Sequence, residues 1–529
     1  MRSRLFLQWI RPLGVVAAVA LILSLSALWN GQPLFHPDTP TYLRGAEMGA
    51  ARLLGPAALK SWLPVRATDK PPFKSASASD ESPKRLKPLT SLEDKLVLSG
   101  RSVYYGALLY AGYLGGMWPA VAFQALSVAY VLQLLMARLW GLRSSQVVGV
   151  AAALSLLTPL GVYTGFLMPD VFAPLVILCI AVLAVYWRQL HRIHRWLLSA
   201  LLLFSVSVHA SHLALALCLL VLALAARWLS ARWRGLSWAG LAMVAACIAG
   251  GLGAEWAFNK TVTAAVGAPP LHLPHSAARL IDLGPGTDFL KQHCPESAYA
   301  VCAYVRNYPT SWEDFLFSRN PAKGTFALAD AATKRRMADE QFRFVLDVLR
   351  FDPVGVVAGE AGGVLQQLGQ FRVDIWGYSK RVLALYEGRV PDSVFADMRS
   401  SRAARFPVFN HWVTISSYAL VLASVLLAGL WWSQRAGSTA AAPARLQQRR
   451  FADFSAIVVA GVIANAVVCA TLASSLDRFQ SRVIWLLPFL TLVVLVRASV
   501  QSASPVDATA GARCASLHRA DSSWQRGRP

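Results

Sequence analysis

Charged residues are scarce in this sequence. Asp, Glu, Lys and Arg make up 15% of its 529 residues, against roughly 25% in soluble domains. Acids are the scarcer kind: 28 Asp and Glu stand against 51 Lys and Arg, a formal net charge of +23. Apolar residues make up 55% and the mean hydropathy is +0.44. They come in long blocks instead of alternating with polar ones, which excludes a soluble enzyme, a disordered chain and a disulfide-stapled secreted module. The usual soluble-site signatures are missing too. None of the seven cysteines forms a C-x-x-C pair, so a structural zinc site has no support. Walker A, Rossmann, G-x-S-x-G and H-E-x-x-H patterns are absent, which disfavours an ATP-driven pump and a membrane metalloprotease of the usual kinds. No basic helix is interleaved with aromatics, so the positive charge reads as membrane topology and no nucleic acid is expected as a partner.

What is present is a series of apolar blocks of spanning length, for which about 20 residues are needed and about 17 tolerated. The first is 12–29, preceded by Arg2, Arg4 and Arg11; its length and the bulky Trp29 favour an uncleaved anchor over a signal peptide. Further spans are read at 117–137, 145–164, 170–187, 196–209, 212–226, 237–257, 409–432, 452–473 and 482–499. The fold class expected is an all-α polytopic membrane protein with about ten transmembrane helices. Arg138–Arg143, 187–195, 227–235 and Arg435–Arg450 follow alternate spans and are basic with scarcely any acid. The positive-inside rule makes them cytoplasmic, together with both termini.

The opposite face then carries two long loops, 30–116 and 258–408. The first holds a Pro-, Ser- and Lys-rich stretch at 70–88, read as mobile. It also holds two amphipathic segments suited to the interface, 41–55 and 91–116. The second is long enough for a mainly helical unit, and within 329–353 Phe342, Val345, Leu346 and Leu349 would form one apolar face. Cys294 and Cys302 in HCPESAYAVC are expected to be bonded, since oxidation is permitted outside the cytoplasm; two unrelated thiols are the alternative. The expected organisation is a membrane module over 1–257, the outer unit 258–408, a second membrane module over 409–499 and a disordered cytoplasmic tail, 500–529. Cys179, Cys218 and Cys247 lie in apolar runs and read as packing residues.

Ionisable groups near a membrane mark function by default, because their desolvation must be compensated. Here they gather at one face. Asp38 lies in LFHPDTPTYLRGAEMGA, Asp170 in GFLMPDVFAP, His209 and His212 in SVHASHLA, and Asp477, Arg478 and Arg482 in SLDRFQSRVIW. Each has a plainer role available. Asp38 and Asp170 could cap the helices that follow them, although Tyr42 and Arg44 share a helical face with Asp38. His209 and His212 share a face as a metal site requires, but with no third ligand nearby a hydrogen-bonded core pair is the simpler reading. Arg478 and Arg482 could anchor a span at the headgroups.

The set as a whole resembles the GT-C superfamily of polytopic membrane glycosyltransferases. The likeness rests on PDTPTYLRGA after the first span, the acid of GFLMPDVFAP and the late DRFQSR. It covers about the first 230 residues and the last outer turn, and leaves 258–408 unmatched. It implies a lipid-linked sugar donor, a glycan or lipid acceptor, and an inverting transfer on the outer face of the cytoplasmic membrane. Asp38 and Asp170 would be the catalytic acids. Tyr42, Arg44, His209, His212, Arg478 and Arg482 would bind substrate, with Arg478 or Arg482 on the donor phosphate. The family's metal-dependent members carry a D-x-D or D-x-E pair that Asp38 lacks, so no essential metal is expected. A transporter or lipid flippase, and a non-catalytic envelope assembly protein, are the alternatives; transporters place polar groups near the midplane and often show internal repeats, neither of which is found.

Overall fold

The computed structural model describes residues 2–55, 60–62, 95–294, 296–373, 377–404, 408–434 and 442–502. The Pro-Ser-Lys stretch at 70–88, residues 435–441 and the tail from 503 lie outside the described residues. The chain is an all-α, multi-pass membrane protein.

In chain order the first part comprises α1 (Arg2–Leu23), α2 (Leu25–Asn30), α3 (Thr39–Leu54), strand β1 (Leu98–Ser99), α4 (Val103–Leu114), α5 (Trp118–Gln133), α6 (Ser144–Leu157), α7 (Leu160–Thr164), α8 (Phe172–Tyr186), α9 (Arg192–Ser207), α10 (Ala210–Leu229) and α11 (Trp238–Val266). The middle part holds strand β2 (Leu271–His272), α12 (His275–Leu283), α13 (Pro285–His293), α14 (Trp312–Phe317), α15 (Ala331–Phe351), α16 (Pro353–Gly369), α17 (Lys380–Ala384) and α18 (Asp392–Ser400). The chain ends in α19 (Val408–Gln434), α20 (Ala442–Leu472), α21 (Asp477–Ile484) and α22 (Leu486–Ser502).

Seven helical stretches among the described residues are long and apolar enough to cross a membrane. The expected count of about ten is not reached on that measure. The block 12–29 breaks at Ser24 into α1 and α2, and 145–164 breaks at Thr158-Pro159 into α6 and α7; proline lacks the N–H that would continue a helix. The third shortfall is α9, which gives its first turn to Arg192, His194 and Arg195. All three still pack inside the bundle: α1 lies against α5 and α6, and α9 against α8 and α11.

At the centre is α8, buried along nearly its whole length. A helix apolar on every side needs neighbours on every side, and α9, α10, α11 and α20 supply them. Two glycines allow the closest approaches. A Cβ at Gly240 would collide with the Leu183 carbonyl, and one at Gly461 would lie 2.5 Å from Ile177.

A second, separate core belongs to the loop unit. Leu96 joins Leu271, Ile281, Phe289, Phe315, Phe344 and Val348 there. This core draws on residues 271–356, with partly buried Ala473 against it. The remainder of 258–408 behaves differently, because Phe371, Tyr378, Tyr386 and Met398 belong to the bundle core. Cys294 and Cys302 are bonded in the loop unit.

The segment 91–116, read as one interfacial helix, is helical only in α4. Ahead of it β1 pairs in parallel with β2, Leu98 opposite Leu271 and Ser99 opposite His272; residues 91–94 lie outside the described residues. The helix α3 forms where 41–55 was expected to be amphipathic. In α15 the apolar face is rotated from expectation: Phe342 is 73% exposed and Leu349 is exposed, while Met337, Phe344 and Val348 are buried. Two apolar stripes share this helix, and the partners decide between them. Phe289 and Tyr299 meet Phe344 edge-on at 5.8 and 5.5 Å. Phe344→Ala should therefore cost about 3–5 kcal/mol, while Phe342→Ala stays within about 0.5 kcal/mol. Thermal midpoints of the two purified variants check this, and equal midpoints would return the core to the face expected from sequence.

Candidate active site

The polar cluster is built from the turn before α8 outward. Asp170 is the second residue of a short 3-10 turn, Pro169–Val171, and its side chain caps nothing. It is 1% exposed. Arg478, in the first turn of α21, grips it with two prongs, Nε to Oδ1 at 3.1 Å and Nη2 to Oδ2 at 2.7 Å. This fork-on-carboxylate geometry is the strongest form of the pair. Arg482, one helical turn on and itself 1% exposed, lies 3.5 Å from Oδ1. Its Nη2 also donates to Asn465 Oδ1 at 3.0 Å and to Ser211 Oγ at 3.3 Å.

The first loop is tied to the same turn by its backbone. Leu34 N–H donates to Gly165 O at 2.9 Å, and Leu167 N–H returns to Leu34 O at 2.8 Å. Thr39 Oγ1 donates to Leu167 O at 2.9 Å. From the other side Tyr378 OH accepts from Phe35 N–H at 2.8 Å, Tyr386 OH donates to Phe35 O at 3.1 Å, and Arg389 Nη2 donates to Pro37 O at 2.9 Å. His36 and Asp38 are thereby held in place.

His36 joins the two acids. Arg478 Nη1 lies 3.1 Å from its Nε2. A guanidinium only donates, so Nε2 accepts from it, while Nδ1 lies 3.1 Å from the backbone N–H of Asp38 and 3.6 Å from its Oδ2. Burial, then the positive charge of Arg478, lower the imidazole to about 3, so the ring is neutral at physiological pH. Asp38 stands at the N-cap position of α3 without making the side-chain cap bond. Its Oδ2 turns instead to Arg101 Nη2 at 2.7 Å. Burial, the largest single effect, pushes this carboxyl up, but the combined pull of Arg101, His36 and Arg478 outweighs it. The group is held well below the usual carboxylate range. Asp38 and Arg101 each keep 29% of their side chains exposed. The chain Arg101–Asp38–His36–Arg478–Asp170–Arg482 thus runs from an accessible end to a sealed one.

Of the remaining sequence-based candidates, Tyr42 is buried edge-on to Tyr105 at 5.2 Å; a Cβ at the neighbouring Gly106 would collide with the Tyr42 carbonyl. Arg44 is exposed. His209 and His212 sit with ring centroids 5.2 Å apart. His209 Nδ1 accepts from Ser211 N–H at 3.2 Å, and His212 Nδ1 donates to Ser205 O at 2.9 Å. His212 is buried and His209 half-buried, and His209 is joined to the cluster through Ser211 and Arg482. The residues overlooked in the sequence are His36, Arg101 and Arg389. His36 immediately precedes Pro37-Asp38; Arg101 precedes Ser102, the residue that caps α4; nothing local marks Arg389.

Three guanidiniums face two carboxylates here, so the cluster is cationic and suited to an anionic ligand. Comparison with known families, characterised proteins and solved structures returns no match.

Removing the buried carboxylate leaves Arg478 and Arg482 uncompensated, so Asp170→Asn should cost about 3–5 kcal/mol. The partly exposed Asp38–Arg101 pair is worth little by comparison, at most about 1 kcal/mol, so Asp38→Asn should melt close to the parent. Melting both variants in one detergent checks the contrast. An Asp170→Asn protein as stable as Asp38→Asn would mean the sealed ion pair anchors nothing.

Proposed function

We propose that the protein is a membrane glycosyltransferase, moving a sugar from a polyprenyl-phosphate-type donor to a cell-envelope acceptor at the outer face of the cytoplasmic membrane. The observation that carries the reading is Asp38: an ionised, partly exposed carboxylate clasped by Arg101 at 2.7 Å and backed by a cationic cluster. Both termini would be cytoplasmic, as the basic short loops require. The loop unit with its bonded Cys294 and Cys302 would then lie on the oxidising side.

The chemistry follows from the two ends of the charge chain. A polyprenyl-phosphate donor keeps its tail in lipid and its phosphate at the interface. The acceptor oxygen attacks the anomeric carbon, the bond from that carbon to the phosphate oxygen breaks, and the lipid phosphate leaves with the bonding electrons. Asp38 orients the acceptor hydroxyl and takes its proton. Because Arg101 depresses its proton affinity, Asp38 is a weak base in the resting state and takes the proton late, as the hydroxyl acidifies in the transition state. Charge gathering on the leaving phosphate needs cations already in place. Arg101 is the accessible one, whereas the fork of Arg478 is committed to Asp170 and His36. The donor-phosphate role expected for Arg478 or Arg482 therefore passes chiefly to Arg101, with Asp170, Arg478 and Arg482 as positioning residues. Transport is the weaker reading, because the accessible charges meet at one end of the bundle instead of lining a central path.

Incubating the purified protein with a panel of polyprenyl-phosphate hexoses and envelope glycans tests this. Turnover with at least one donor is expected, and Asp38→Asn should lower it by roughly 100-fold or more while inserting normally. No turnover across the panel, or a folded Asp38→Asn protein that keeps its rate, would overturn the assignment.

A further inference from the structure

The β1–β2 ribbon brings the loop unit to the exposed end of the cluster. The parallel pairing of Ser99 with His272 sends two chains side by side out of the β1–β2 ribbon. Two residues beyond Ser99 stands Arg101, the partner of Asp38; three beyond His272 stands His275, the first residue of α12. The His275 ring stacks on Trp312, the first residue of α14, with centroids 5.4 Å apart and planes 20° from parallel. Trp312 is 8% exposed.

Each of these three residues carries a buried nitrogen with no hydrogen-bond partner among the described residues: Arg101 Nε, His275 Nδ1 and Trp312 Nε1. Buried polar groups in folded proteins are nearly always satisfied, and each exception calls for an explanation. Ordinary packing does not account for three at one junction. The chemistry of the set is specific. Arg Nε–H and the indole N–H only donate, while a neutral imidazole nitrogen donates or accepts. His275 is neutral at physiological pH, since burial, then the charges of Arg101 and His272, lower it to about 4. A purely apolar ligand would leave all three nitrogens unmet. Arg101 Nε–H and the indole N–H call for oxygen acceptors, which hydroxyls supply without displacing Asp38 from Arg101. A ring that bears hydroxyls on its rim and C–H groups on its face meets both the nitrogens and the aromatic pair.

We propose that the junction of α12, α14 and the β1–α4 link is a sugar-binding subsite for the acceptor, with the His275–Trp312 stack as its platform and Arg101 as the residue it shares with Asp38. The proposal rests on the glycosyltransferase reading for the word acceptor, and on the junction itself for the word sugar. It gives the loop unit a role: it brings the hydroxyl-bearing substrate to the exposed end of the charge chain.

Saturation-transfer NMR on the full-length protein in detergent, with cellobiose, chitobiose, mannobiose and lactose as probes, reads binding without turnover. At least one disaccharide should receive saturation in its ring protons. Trp312→Phe, which keeps the ring and removes the N–H, should weaken that disaccharide by about tenfold; His275→Gln gives an independent variant should Trp312→Phe fail to fold. Saturation of none of the four, or equal affinity in parent and folded variants, would overturn the subsite. The two readings separate cleanly. Donor turnover with unchanged disaccharide affinity in the variants sinks the subsite alone. Variant-sensitive disaccharide binding with no turnover from any donor supports the subsite and sinks the transferase.

Discussion

A carboxylate sealed against the end of a membrane bundle must be neutralised by cations brought to it. Asp170 is that carboxylate, and its partners Arg478 and Arg482 come from the far end of the chain. The helix pair α21–α22 therefore has to return to the turn before α8. Asn465 and Ser211, which accept from Nη2 of Arg482, draw α20 and α10 into the same arrangement. The position of Asp38 is a consequence of this. The Leu34–Gly165 and Leu167–Leu34 hydrogen bonds lay the first loop on the Asp170 turn, and His36 spans the gap to Arg478.

The middle of the chain completes the frame in two separate ways. Residues 271–356 form their own core and reach the cluster through the β1–β2 ribbon at Arg101. The chain then re-enters the bundle core, where Tyr378 and Tyr386 clamp the backbone of Phe35 and Arg389 holds Pro37. The first loop is gripped from both sides, and Asp38 and Arg101 are left partly open. Rigid support beneath an accessible carboxylate is what a positioned proton acceptor needs.

The acids and the late arginines were legible in the sequence because ionisable groups beside apolar blocks stand out by cost alone. Their pairing was not. Which arginine answers Asp170 depends on how helices three hundred residues apart pack, and no local pattern encodes that. His36 escaped notice because an uncharged ring beside Pro37 looks like loop chemistry, and Arg389 because its links to the first loop, to Pro37 O and Thr41 Oγ1, cross 352 and 348 residues of sequence. Three expected spans fell short of crossing length: 12–29 broke at Ser24, proline ended α6, and clustered basic residues shortened α9. The face of α15 was missed for a related reason, since a helix with two apolar stripes leaves the choice to its neighbours, here Phe289 and Tyr299.

The claim beneath all of this is that Asp170 and Arg478 act as one unit to set the cluster. A double-mutant cycle measures it directly, with Asp170→Leu, Arg478→Leu and the double variant compared for thermal stability. The account predicts strong coupling: each single change leaves a buried charge exposed to its loss, and the double change recovers at least about 1 kcal/mol of the summed cost. Purely additive effects would contradict it, because two residues whose losses add independently are not holding each other in place.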